Sequence, residues 1–202
     1  MTNQNLVRNL GIACTIGAAL FSANGIWEVL QPSISGNLRN NQSIIDPLHY
    51  RIEMLIFGFL CVPGFFAGQL GYYLCGATGK NWFAKLIILV SAVGAILYAC
   101  GAVIQVVTLE QSSLFGIGIM TTVWFCPALL GIAALFARTV ALWKRLFPFL
   151  LPIVPAIAFP VFVSNDLPRF GALAINGLGW MIFGYVVFSE AKNDKNNQLA
   201  AS

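Results

Sequence analysis

Apolar runs of near-bilayer length alternate with short polar breaks along the whole chain. They predict six helices, at about residues 6–30, 48–75, 82–107, 114–137, 146–163 and 169–189. The breaks carry recognisable stop and start signals. Gln31-Pro32 ends the first run, because a proline removes a backbone donor and restricts the residue before it. Asp46 followed by Pro47 opens the second, a side-chain cap followed by a residue whose φ is already helical. Residues 31–47 form the longest internal polar stretch and read as a loop, and 190–202 as a polar tail. The expectation is an all-α polytopic membrane bundle forming one transmembrane domain over 1–202.

Within the second run the residues share a stripe. At 100° per residue Glu53 falls with His49, Leu60, Gly64, Ala67, Gly68 and Gly71 on one side of the wheel. Small residues mark close helix approach in lipid, so this face is expected to meet protein, with Glu53 carried along. The fifth run holds Pro148, Pro152, Pro155 and Pro160. Pro148 falls in the first turn of the expected helix, and the other three each free a carbonyl that needs a partner. A kink giving way near Pro152–Pro155 is expected. Pro63-Gly64 interrupts the second run too, and helices two and five hold equivalent places in two inverted three-helix halves, as transporter sites do.

Composition sharpens this. Only 9% of residues are charged and 58% are hydrophobic, with little chain left for a soluble domain. With six crossings both termini share one side, together with Arg8, Lys80, Lys85, Arg138, Lys144, Arg145, Lys192 and Lys195, eight of the eleven basic residues. Arg39, Arg51 and Arg169 fall opposite, so both termini are expected in the cytoplasm, in a multi-pass protein of the cell membrane. The net charge of +4 is scattered beside helix ends without a basic run, which argues against nucleic acid; the lipid bilayer is the expected partner, with a small solute or a protein beside it. Five cysteines lie in or at the ends of apolar runs without metal-ligand spacing.

Candidate chemistry gathers at the outer mouth. Glu28 closes helix one beside Trp27, His49 and Glu53 open helix two on one face, Glu110 follows helix three, and Asp166 and Arg169 bracket the start of helix six. Carboxylates drawn out of water beside an imidazole suit a proton-coupled carrier or a cation mouth. Deeper, Asn24, Gln69, Gln105, Thr121, Thr122 and Asn176 are the sparse polar groups; Gln69 and Asn176 are candidates to line a solute path, against the plainer reading of hydrogen bonds between helices. The candidate binding set is thus Glu28, His49, Glu53, Asp166, Arg169, Gln69 and Asn176, with no catalytic or metal residue and no cofactor expected. One histidine cannot supply a bis-histidine haem, and no HExxH, GxSxG or P-loop is present. A proton-linked or small-solute carrier or channel is the leading expectation. An accessory subunit of a membrane complex, or a membrane enzyme acting on a lipid or isoprenoid, are the alternatives.

Overall fold

The computed structural model describes residues 3–31, 34–35, 43–79, 81–162 and 166–200; among these, the side chains of 3, 34–35, 43, 57, 154–155, 157–162, 166–170, 172 and 192–200 lie outside the description. Six helices result: α1 (Asn3–Leu30), α2 (Pro47–Leu74), α3 (Trp82–Thr108), α4 (Ser113–Ala137), α5 (Leu142–Phe162) and α6 (Asp166–Ala200). A two-residue antiparallel ladder, Ile34 opposite Ile44 and Ser35 opposite Ser43, lies between α1 and α2. Five helices are long and apolar enough to cross a membrane, and side chains such as Ile16, Leu89, Ile96, Phe125 and Phe136 project from the bundle.

The ends follow local chemistry. Asp46 caps α2, its Oδ1 accepting from the His49 N–H at 3.0 Å with Pro47 in the first turn, as the sequence predicts. Asn81 Oδ1 does the same for α3, accepting from Ala84 N–H at 2.8 Å. Leu109 and Arg138, at φ 58° and 54°, turn the chain out of α3 and α4 in the left-handed conformation. Two boundaries differ from expectation. Helix α5 begins at Leu142 rather than 146, so Pro148 lies beyond the first turn. Helix α6 runs to Ala200, so 190–200 is helix rather than a loose tail; no glycine or proline interrupts that stretch.

The prolines produce a pattern that the sequence reading missed. Helix α5 does not give way at Pro152–Pro155; it is continuous over Leu142–Phe162. Helices α2 and α4 instead widen to π geometry over Ile56–Cys61 and Met120–Phe125, each ending two residues before a proline, Pro63 and Pro127. A proline ring strikes the carbonyl four residues back, and a wider turn moves that carbonyl aside. The resemblance within the fold is therefore between α2 and α4, not between α2 and α5. Leu60, placed on the buried stripe by a straight wheel, lies within the wider turn and is 54% exposed, while Gly64, Ala67, Gly68 and Gly71 beyond it stay buried.

Consecutive helices are neighbours and α6 packs back on α1, so the six close into a ring, with α2 also touching α4 and α6. Glycine makes the closest crossings possible. A Cβ on Gly64 would lie 2.9 Å from Gly17 Cα, one on Gly68 2.5 Å from Cys14 Sγ, and one on Gly71 2.6 Å from Val187 Cγ1. The stripe expected on α2 thus faces α1 and α6. On the other side of α1, Gly11 and Gly184 approach so closely that a Cβ on either would lie 2.8 Å from the other's carbonyl oxygen.

Candidate functional site

At one end of the ring, α1 finishes where α2 begins. Glu28 is fully buried and His49 is 4% exposed, and His49 Nε2 lies 3.1 Å from Glu28 Oε1. The two atoms are within ion-pair distance without meeting hydrogen-bond geometry. Trp27 stacks on the imidazole, ring centroids 4.2 Å apart and planes 25° apart, which holds the ring in place. His49 Nδ1 is buried and meets no hydrogen-bond partner among the described residues.

Glu53, four residues on from His49, is 4% exposed. The face that carries it meets protein, as the stripe predicts; a carboxylate set against His49 is that of Glu28, and Glu53 lies within electrostatic reach of Tyr98 on α3. The same stretch of α2 meets α3 through Tyr50, whose hydroxyl donates to Gln105 Oε1 at 2.7 Å. Glu110 is exposed, its backbone N–H donating to Thr108 Oγ1, and stands apart from the buried cluster. The side chains of Asp166 and Arg169 lie outside the described residues.

Gln69 and Asn176 turn out to answer prolines. In α4 the Cys126 N–H bonds to the Thr121 carbonyl, so the next donor in line for Thr122 would be residue 127, which is proline. Gln69 Nε2, from α2, donates to that Thr122 carbonyl at 2.7 Å. In α5, Pro155 leaves the Leu151 carbonyl without its helical donor, and Asn176 Nδ2, from α6, donates to it at 2.7 Å. Each amide ties a different pair of helices, α2 to α4 and α6 to α5. The expected solute path lined by both is therefore not formed by these contacts; the interhelical hydrogen bond is what the geometry holds.

Asn24 behaves differently. It is 2% exposed, and neither its Oδ1 nor its Nδ2 meets a hydrogen-bond partner among the described residues. It stands one turn before Glu28 on the α1 face that carries Cys14, Gly17 and Phe21 against α2.

The opposite end holds a cluster that the sequence reading used only for topology. Lys144, 8% exposed at the start of α5, pairs with Glu190 of α6 and donates to Ser189 Oγ at 3.2 Å. The Tyr72 hydroxyl of α2 donates to the Lys144 carbonyl at 3.0 Å, and the ammonium lies 5.4 Å from the Trp143 ring centroid. The sequence carries a usable signal: Lys144 and Glu190 are opposite charges, each at the edge of an apolar run on the side that six crossings give to both termini. No group of three or more metal-ligating side chains occurs among the described residues. No protein family, no curated protein and no solved structure matches this chain.

Proposed function

We propose that this is a multi-pass protein of the cell membrane, both termini cytoplasmic, which carries protons or a proton-linked small solute through a path whose outer mouth is the Glu28–His49 pair. The observation that supports this most is that pair itself: a fully buried carboxylate 3.1 Å from an imidazole whose far nitrogen is unmet. Ionisable groups kept inside a membrane bundle are costly, and their usual roles are ion and proton pathways. An imidazole is suited to such a step. Once the ring turns to align Nε2–H with Oε1, Nδ1 takes a proton from a hydronium ion, leaving water, while Nε2 passes its own to the Glu28 carboxylate; one proton moves from solvent to Glu28 and the ring returns as the other neutral tautomer. The Lys144 end carries eight of the eleven basic residues by the sequence assignment, which supports placing it in the cytoplasm. The enzyme alternative finds less support, since no catalytic nucleophile is placed beside the pair among the described residues.

The test is flux in proteoliposomes read by an interior pH dye. Glu28→Gln keeps shape and burial but cannot exchange a proton, so it should abolish proton-linked flux while the protein still purifies as a folded species. Flux at the native rate in Glu28→Gln would refute the reading. A native protein without flux, in which the same change only lowers thermal stability, would leave the accessory-subunit alternative in its place.

A further inference from the structure

Four amides are buried among the described residues at 0–4% exposure, Asn24, Gln69, Gln105 and Asn176, and Gln105 accepts from the Tyr50 hydroxyl. The two that donate to proline-freed carbonyls have a structural reason to be there. Asn24 has none among the described residues, yet it presents two donors and an acceptor. We infer that Asn24 is the inward water-binding step of the outer mouth, holding ordered water that links the bundle interior to His49 Nδ1 and Glu28. For its purpose this rests on the proton-linked reading above; its geometry stands independently.

The placement follows from register. Helices α1 and α2 run antiparallel, with Gly17 against Gly64 and Trp27 and Glu28 against His49. Interpolating between those crossings sets Asn24 at about the level of Glu53. Asn24 and Glu28 are one turn apart on α1, and Glu53 and His49 are one turn apart on α2. The four polar residues therefore make two rungs, Glu28 with His49 outside and Asn24 with Glu53 inside. Buried water in proteins needs several polar partners, and it both donates and accepts. Asn24 Oδ1 and Nδ2 and His49 Nδ1 are buried atoms of both kinds with that capacity unused. Water on the inner rung gives a proton a carrier on each side of the imidazole: Glu28 at Nε2, water at Nδ1. Leucine at position 24 would fill nearly the same volume and bind none.

Two measurements on the full chain test this. Asn24→Leu should cut proton-linked flux at least tenfold while the protein still purifies as a folded species, because the water-binding amide is replaced by hydrocarbon of similar volume. Native flux would mean that the step is unused and overturns the inference. Asn24→Cys, reacted with a small water-soluble methanethiosulfonate, should take one label beyond the background of the native protein. Absence of that extra label overturns it as well. If Glu28→Gln keeps native flux, the proton reading falls, and the labelling result alone decides whether water reaches Asn24.

Discussion

Replacing Gln69 by leucine tests the claim that an amide on α2 stands in for the N–H that Pro127 lacks. The change keeps side-chain bulk but strands the Thr122 carbonyl, now contacted by Gln69 Nε2 at 2.7 Å, in a buried apolar setting. Interhelical hydrogen bonds in membranes average only about 0.6 kcal/mol, since the released group usually finds another partner. Here the alternative is blocked, because the residue that would donate in the helix is a proline. The cost should therefore approach that of an unsatisfied buried acceptor, about 1–3 kcal/mol. The discriminating arm is Pro127→Ala, which restores a backbone N–H within reach of the Thr122 or Val123 carbonyl. In that background Gln69→Leu should cost less than about 1 kcal/mol, a coupling of about 1–2 kcal/mol between two residues on different helices. Reversible unfolding in mixed micelles of the four variants measures it. Equal costs of Gln69→Leu with proline and with alanine at 127 would refute the reasoning, since the amide would then be serving something other than the proline.

The same logic applies to α5: Asn176→Leu should destabilise by about 1–3 kcal/mol by exposing the Leu151 carbonyl, and Pro155→Ala should recover part of it, read by the same unfolding assay. Gly68→Leu drives a side chain into Cys14 and should cost about 1–3 kcal/mol or more in thermal unfolding; an unchanged midpoint would place that face in lipid. Lys144→Met leaves Glu190 beside apolar neighbours and should lower stability by about 1–3 kcal/mol, with Glu190→Gln in the same molecule restoring part of the loss. For topology, a cysteine replacing the exposed Glu110 should react with an impermeant reagent from outside intact cells, and one replacing the exposed Ala141 should not; the reverse pattern inverts the proposed orientation.

Much of the fold could be read from the chain because apolar length and capping chemistry are local properties. Asp46-Pro47 opens α2 as read, and the glycines at 64, 68 and 71 do face other helices. Failure came where one irregular turn changes everything downstream. A wheel of fixed period put Leu60 and Glu53 on a common face; in the structure Glu53 is buried, while Leu60, inside the wider turn over Ile56–Cys61, is exposed. Pro63 was visible, but whether a helix answers a proline by kinking, widening or carrying on depends on its neighbours, and α5 carries on. At the site, Glu28 and His49 were legible as polar residues at adjoining helix ends, though their direct contact was not, since it depends on how α1 and α2 cross.

The buried polar groups of the bundle divide by what they answer to. Gln69 and Asn176 meet carbonyls that Pro127 and Pro155 have released, so their cost of burial is offset by a backbone debt elsewhere. Thr122 Oγ1 likewise donates to the Ser91 carbonyl at 3.3 Å, and the Tyr50 hydroxyl to Gln105. These bonds hold helices together; only the Tyr50–Gln105 pair joins two side chains, and apolar residues of matching shape could replace that one with little loss. Asn24 and the Nδ1 of His49 answer to nothing of that kind, and both lie at the end of the ring that also buries Glu28 and Glu53. Selection for stability alone would favour leucine or phenylalanine at such positions. Gln69 Oε1, Asn176 Oδ1, Ser91 Oγ, the Tyr98 hydroxyl and Trp180 Nε1 are also buried without a partner among the described residues, but singly; what sets the His49 end apart is that Asn24, with both amide atoms unmet, and His49 lie beside two buried carboxylates, whereas at the other end Lys144, Glu190, Ser189 and Tyr72 are tied to one another.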